Sequence, residues 1–562
     1  MHKKHWTPCL LLLMAQVSWA QTLPSAGGQM QQVPPSPARP ETWTPNLPTR
    51  PEPVQIQQPW MPDPARASNT AFTLQRLQVT GATVFAEADL LQVAGFEPGR
   101  EVSLPALQVM AERITRHYRR HGFLMARAYL PAQEIRDGVG TLAVLEGQYG
   151  QVTLNNTSSL DSQVPQAVLA GLNHRDTIAL APLEERLLLL SDVPGVQVRS
   201  SLVPGASLGL SDLVVEVEPG ARISGSVDAD NAGNRYTGEE RIGATVNLNN
   251  PSGSGDLASL RVLTSGAGLR YGRVSYQTPV GRGRVGVAYS DLGYKLEREF
   301  AALQANGHAR IATVFGTYPL RRSRQSNMNL GLSLESKRFE DRLDAEPSVT
   351  DKRAQVAVAS WYGDQRDDWG GGGLNSYSLA WSTGSIDIRT PAALQQDADT
   401  ARSDGHYNKL AFALSRVQRA NESLTLSASL SGQKASKNLD ISEKMELGGM
   451  YGVRAYPEGE AYADEGLLLT LEARQQLRLP ASATGQVHLA VFVDAGTVKL
   501  HHRPWLAEDQ RRHLSGAGVG LYWTQSRNFS IKAFYARKLG HEDALSAPDK
   551  SGRVWIQGVK YF

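Results

Sequence analysis

The chain has 562 residues, with 58 lysines and arginines against 55 aspartates and glutamates and a formal net charge of +3; so near a balance gives no electrostatic reason to expect nucleic acid as a partner. Its single cysteine is Cys9, which leaves the rest of the chain without a disulfide, a thiolate nucleophile or a cysteine-held metal. A mean hydropathy of −0.32 and the lack of any apolar run of membrane-helix length exclude membrane helices, but not a membrane barrel, in which only alternate residues face lipid.

Met1-His2-Lys3-Lys4, the apolar run 9–15 and Val17-Ser18-Trp19-Ala20 read as a basic n-region, a short h-region and the small residues of a cleavage site. Residues 1–20 are therefore expected to be a secretory signal, removed with Lys3, Lys4 and Cys9. Residues 21–71 read as a Pro-rich periplasmic segment or linker, because 21–70 hold 12 of the 30 prolines and proline removes backbone donors and blocks helix interiors.

From Phe72 the pattern becomes that of a small α/β domain. Leu74, Leu77 and Val79 mark a strand before Gly81. Ser103 then caps a helix whose one face carries Leu107, Met110, Ala111, Ile114 and Tyr118, with Gly122 after its end. Strands follow at 125–129 and 140–144. A second run repeats the order, with a strand at 151–155, helices at 163–172 and 182–190, and strands at 196–202 and 213–218. Two tandem small α/β domains, 72–147 and 148–220, are expected.

After Pro219-Gly220 the helical signal fades and strands alternate. Leu467, Leu469, Leu471 and Ala473 stand against Leu468, Thr470, Glu472 and Arg474; Leu424, Leu426, Ala428 and Leu430 stand against Thr425, Ser427, Ser429 and Ser431. A soluble sandwich also alternates, but charges on the polar face suit a wet lumen. Residues 221–562 allow sixteen strands at about 21 residues each with its connection, enough for membrane strands of about 9–11 residues. The chain ends on Phe562 at the tip of a strand-like segment, a familiar feature of outer-membrane barrels.

Two segments stand out within this region. Segment 447–460 is a glycine-rich excursion between two strands and carries one arginine, Arg454. In Val487-His488-Leu489-Ala490-Val491-Phe492-Val493-Asp494-Ala495-Gly496 one face is Val487, Leu489, Val491 and Val493, so Asp494 is expected inside the barrel, within reach of an arginine on a folded-in loop. Other features invite chemistry but have plainer readings. Gly370-Gly371-Gly372-Gly373 lacks the Gly-Lys-Ser/Thr of a phosphate loop and reads as a flexible loop. Adjacent His501 and His502 point to opposite faces of a strand and read as exposed. Trp361, Tyr362, Trp381 and Trp523 read as bilayer-interface anchors. No H-E-x-x-H, G-x-S-x-G or paired-cysteine motif is present, so no catalytic residue, metal or cofactor is expected.

Val79-Thr80-Gly81-Ala82-Thr83-Val84-Phe85, Gly122-Phe123-Leu124, Leu130-Pro131-Ala132-Gln133-Glu134-Ile135-Arg136-Asp137-Gly138 and Val144-Leu145-Glu146-Gly147 resemble the first polypeptide-transport-associated (POTRA) domain of the two-partner secretion transporters of Gram-negative bacteria. Further along, Asn249-Asn250-Pro251 with Gly255-Asp256, Tyr276-Gln277-Thr278-Pro279-Val280-Gly281 and Tyr318-Pro319-Leu320 match the same family. So do Val453-Arg454-Ala455-Tyr456 (V-R-G-Y), Phe492-Val493-Asp494-Ala495-Gly496 (F-x-D-x-G) and Ser515-Gly516-Ala517-Gly518-Val519-Gly520.

The resemblance, covering nearly all of 72–562, implies a membrane all-β protein: a 16-stranded antiparallel transmembrane barrel (221–562) in the outer membrane, preceded by two small α/β POTRA domains in the periplasm. It implies that the sixth extracellular loop folds into the pore, with a loop motif Val453, Arg454, Ala455 and Tyr456 and a wall motif Phe492, Asp494 and Gly496, Arg454 paired to Asp494. The implied function is export, without ATP, of one large β-helical adhesin or haemolysin whose N-terminal secretion domain the POTRA domains capture. Outer-membrane lipid and, during biogenesis, the barrel-assembly machinery are the other implied partners. A barrel-assembly insertase of the same superfamily is the rival reading; a passive porin or receptor is another. Three departures stand out. Ala455 replaces a glycine; the prolines of 21–70 argue against the family's plug helix, save a short piece near 29–33; and Lys560 stands third from the end, where an apolar or aromatic residue is usual.

Overall fold

A computed structural model describes residues 23–34, 55–56, 71–266, 268–480, 484–505 and 509–562; the expected signal segment lies outside the described residues. The period-two alternation from Ile223 onward resolves into sixteen strands, from Ile223–Asp230 to Gly552–Tyr561, each antiparallel to its neighbours, and the last pairs with the first to close a barrel. Closure leaves no open sheet edge, the condition for setting β-structure in hydrocarbon. Leu467, Leu469, Leu471, Leu489, Val491, Val493, Val554 and Ile556 point outward and are exposed, while Glu472, His488, Asp494 and Gln557 point inward and are buried. An outward band of large apolar side chains is a lipid-facing surface. Trp361, Trp381 and Trp523 belong to it. Tyr362 does not: it pairs with Ser378 on the inward register, contrary to the anchor reading.

The seam between first and last strands runs only from Ser226↔Tyr561 to Asp230↔Gln557, with Gly225 and Phe562 exchanging backbone bonds of 3.0 and 3.1 Å beyond it. Lys560 faces outward here, and its ammonium bonds the side-chain oxygen of Asn528 in the adjacent turn. The charge thus stays at the rim.

The lumen is filled from both ends of the chain. Helix α1, Ala26–Gln31, lies inside the barrel with Ala26, Gly27, Gly28 and Gln29 buried. The Ala26 N–H donates to Asp341 Oδ1 at 2.7 Å, Thr237 Oγ1 to Gln29 Oε1 at 2.6 Å, and Arg241 Nη1 to the Gln32 carbonyl at 2.8 Å. The proline argument against such a helix fails locally, because no proline falls between Pro24 and Pro34. The sixth connection at the rim away from the N-terminal units, 436–464, is the other filling.

The two units ahead of the barrel each pack helices on a small sheet. In the first, α2 (Glu87–Ala94) and α3 (Leu104–Arg120) cover the sheet formed by Arg76–Thr80, Val139–Leu145 and Arg127–Tyr129. Ser103 caps α3 through the Ala106 N–H, and Leu107, Met110, Ala111, Ile114 and Tyr118 are its buried face. Sequence periodicity misses α2, whose eight residues bury only Leu90 and Ala94 before Gly95 turns left-handed. Glu146, 5 % exposed, ties the unit together: its carboxylate accepts from the Thr83 and Val84 N–H groups at 2.7 and 2.8 Å, from Tyr118 Oη at 2.8 Å and from the Thr83 hydroxyl.

In the second unit, α4 (Gln163–Leu169) and α5 (Leu180–Ser191) lie beside the strands Gln148–Asn156, Val196–Pro204 and Leu210–Pro219, and Gln55–Ile56 adds in parallel to the outer edge opposite Ser201 and Leu202. This unit is pinned to the near rim of the barrel by arginines of two turns. Arg322 grips Asp192 at 2.7 Å through both Nε and Nη2, Arg324 Nε meets Glu184 at 3.0 Å, and Arg282 pairs with Glu185. Downstream, a short helix at Pro391–Asp399 on the far rim escaped the sequence reading.

Burial alone would raise the Glu146 pKa, but the donors around its charged form outweigh burial and hold it below the ordinary glutamate range. Its contribution is therefore complete above the unfolded pKa and is lost as pH falls through the lower folded value. Glu146→Ala strands those donors and is expected to cost the first unit about 1–3 kcal/mol, read as earlier proteolysis of 72–147 in a urea series. An unchanged midpoint would remove Glu146 from the packing argument.

Candidate functional site

The site is built from strands Glu465–Leu477, Gln486–Lys499 and Arg511–Gln525 and the loop 436–464 that folds against their inner face. Alternation puts Thr470, Glu472 and Arg474 of the first strand inside, with Phe492, Asp494 and Gly496 of the second and Gly516, Gly518 and Tyr522 of the third. The loop is a compact body of its own: Met445 bridges Ala463, Leu447 takes the Val453 N–H at 2.8 Å, and Gly449, at φ +90°, turns the tip.

Arg454 sits at the centre, 5 % exposed, against an Asp494 that is fully buried. Its Nε and Nη2 donate to the two oxygens of Asp494 at 2.8 and 2.9 Å, and its own N–H adds a bond of 3.1 Å to Oδ2. Nη1 reaches Glu472 Oε2 at 2.9 Å. The guanidinium lies over Phe492, its Cζ 3.3 Å from the ring centroid, with Phe534 at 5.0 Å, a cation–π arrangement that adds to the ion pairs when desolvated. Thr470 Oγ1 donates to Asp494 at 3.0 Å, Tyr522 Oη to Glu472 at 2.7 Å, and Trp555 Nε1 to the Arg454 carbonyl at 2.7 Å. Arg474 also bonds Glu472, so two cations face two anions and the cluster is neutral.

The wall makes room for the loop by lacking side chains. A Cβ at Gly496 would stand 2.3 Å from Leu447 Cδ1, and one at Gly516 would stand 2.5 Å from Ala455 Cβ. Ala455 does not need the left-handed region: it is absent from the positive-φ residues, and its methyl fills the space above Gly516. Val453 and Tyr456 are fully buried, and Tyr456 Oη donates to the Glu542 carbonyl at 3.0 Å.

All seven residues singled out in the two motifs therefore meet in one cluster. Thr470, Glu472, Tyr522, Phe534 and Trp555 were not singled out; their only sequence signal is inward parity on their strands. His501 and His502 lie after the strand rather than in it and are half-buried: the His501 ring packs against Trp505 at a tilt, centroids 4.1 Å apart, and His502 Nδ1 is 2.5 Å from Glu465. Among the described residues no group of three or more His, Cys, Asp or Glu is placed to hold a metal. What the arrangement does is mechanical: it holds the loop against the inner face of the barrel.

Residues 209–523 match the family model described as haemolysin secretion/activation protein ShlB/FhaC/HecB, more than half of the chain, and 72–147 match that of the POTRA domain, ShlB-type. A heme/hemopexin transporter protein, HuxB, of Haemophilus influenzae is 28 % identical over 473 residues, 83 % of this chain and 82 % of its own. The outer membrane transporter CdiB of Dickeya dadantii is 23 % identical over 464 residues, 80 % of each chain. In fold, the chain resembles CdiB from Escherichia coli, with a TM-score of 0.70 at 20 % identity over 89 % of this chain and 93 % of that one.

Gly516→Val drives a side chain into Ala455, and overpacking of this kind costs about 1–3 kcal/mol. The expected result is a lower temperature for loss of the folded barrel's electrophoretic mobility, with Ala455→Gly restoring part of it. An unaltered temperature would place the loop tip elsewhere.

Proposed function

The chain belongs to the haemolysin secretion/activation protein family, outer-membrane transporters of two-partner secretion, and from that premise we propose that its barrel exports one large β-helical exoprotein of the adhesin or haemolysin kind. The rim that carries the two N-terminal units is periplasmic and the far rim extracellular. In this reading 72–147 and 148–220 are tandem POTRA domains that capture the secretion domain of the cargo. An exposed sheet edge suits that task, since unpaired backbone groups accept an extended strand. The reading is of a conduit with no catalytic step; its named relatives are transporters.

The observation that carries it is the loop locked across the lumen by Arg454. A passive pore gains nothing from a buried, neutralised loop inside its channel. A conduit for a polypeptide needs a lumen that is closed at rest and opens around its cargo. Arg454 is read as the latch and Asp494 with Glu472 as its keeper; Val453, Ala455 and Tyr456 seat the tip, while Phe492 and Gly496 shape the wall. Delivery of the barrel to the membrane by the assembly machinery belongs to the same proposal.

Removing Arg454 strands the fully buried Asp494, while Glu472 keeps Arg474, a loss of about 3–5 kcal/mol where burial is complete. Arg454→Ala is expected to leave the barrel in the outer membrane and to abolish export, with the exoprotein accumulating in the periplasm. Secretion at the wild-type level would take the latch out of the mechanism.

A further inference from the structure

Arg454 is not the loop's only electrostatic attachment to the wall: Glu460 pairs with Arg512 close by, and a third attachment, on the far side of the lumen, sets loop anions against wall cations. The turn Ile441–Glu443 lies against the other side of the lumen, where three strands each present an inward lysine: Lys337, Lys352 and Lys409. Lys352 Nζ is 2.7 Å from Asp440 Oδ2, and Lys337 and Lys409 hold the two oxygens of Glu443 at 2.7 Å each. Lys409 also donates to the Glu443 carbonyl at 3.0 Å. Asp440 and Glu443 are 6 % and 2 % exposed. Asp440 Oδ1 caps the turn by accepting the Ser442 N–H at 3.0 Å.

This lysine-held turn is what α1 rests on. Gln31 Nε2 donates to the Ile441 carbonyl at 2.9 Å, and Gly27 lies so close that a Cβ there would stand 2.8 Å from Ser442 Cβ. Tyr462, on the returning arm of the same loop, accepts from Gln32 Nε2 at 2.7 Å and donates to the Gly28 carbonyl at 3.3 Å. One side of α1 is thus seated on the loop, while Ala26 and the cap rest on the barrel wall.

We propose that Asp440 and Glu443, gripped by Lys337, Lys352 and Lys409, are positioning residues of the gate: they fix the seat of α1, so that releasing the lysine cradle moves loop and helix together and opens the lumen. The proposal rests on the reading of the lumen as the export route. It separates two roles within the loop. Arg454 locks the tip to the strands around Asp494, and the cradle carries the plug.

The test is ion conductance of the purified full-length protein in planar lipid bilayers, scored beside export in cells. Asp440→Lys and Lys352→Asp each set like charges against one another, and each is expected to raise the mean conductance about tenfold or more, since stranding one member of a buried pair outweighs a factor of ten. Combining them reverses the pair and is expected to return most of the closed state, a rescue that a merely misfolded barrel would not show. Gly27→Leu leaves the ion pairs intact but cannot fit over Ser442, and is expected to raise conductance as well. Single variants as closed as wild type, or a double variant as open as the singles, would overturn the proposal. Conductance responding as expected while export stays at the wild-type level in every variant would keep the cradle and count against the export reading.

Discussion

A charge inside a membrane barrel is tolerable only where it meets water or its opposite, and that constraint orders the interior of this protein. Arg454 is enclosed by Asp494 and Glu472, and Glu472 is shared with Arg474. Across the lumen Asp440 and Glu443 are enclosed by Lys337, Lys352 and Lys409. The loop carries Arg454 to an anionic patch and Asp440 with Glu443 to a cationic one, while Glu460 meets Arg512. Reversed by half a turn, it would set like charges together on both sides, which several buried contacts could not offset. One orientation of the loop is therefore selected by charge before any apolar packing is considered. The apolar contacts of Leu447, Val453 and Tyr456 then refine it.

The same logic acts at the periplasmic rim. Arg282, Arg322 and Arg324 rise from two turns of the barrel to meet Glu185, Asp192 and Glu184. The backbone joins in, with the Asp161 N–H donating to the Gly253 carbonyl at 2.7 Å. Those contacts all fall on the turns between the second and seventh strands, so the second unit stands to one side of the channel mouth. Its outer sheet edge, Val196–Pro204, is covered in the described residues only at Ser201 and Leu202 by Gln55–Ile56. Anchoring and access are thereby assigned to different faces of one small domain.

Much of this was legible in the residues. Leu467, Leu469 and Leu471 against Thr470, Glu472 and Arg474 announce a wall with lipid on one side and water on the other, because a strand has only two faces. The pairing of Arg454 with a strand aspartate could be suspected from the same parity. The lysine cradle could not. Lys337, Lys352 and Lys409 stand on three different strands, and only the register of pairing brings them to one patch; a slip of one residue would send each into lipid. Helix α1 was hidden by averaging, since the prolines of 21–70 mask the clear stretch between Pro24 and Pro34. Gly516 was visible in its motif, but its purpose appears only when Ala455 is laid against it.

Buried ion pairs also suit a gate that opens without nucleotide hydrolysis. Deleting one partner leaves the other dry and unpaired, which costs about 3–5 kcal/mol. Withdrawing the loop intact is a different process: both partners pass into water together, and each recovers hydration in exchange for its partner. An exposed ion pair is worth only about 0–1 kcal/mol, so whole-loop release returns most of the Coulomb energy as solvation. The attachment is then rigid against error yet cheap to undo, provided that something fills the lumen as the loop leaves and brings water with it. A polar, extended polypeptide entering from the periplasm meets that requirement. On the proposed gate, the lumen recloses by the same exchange run backwards, with Asp494, Glu472 and the three lysines still in place on the wall to receive the returning loop.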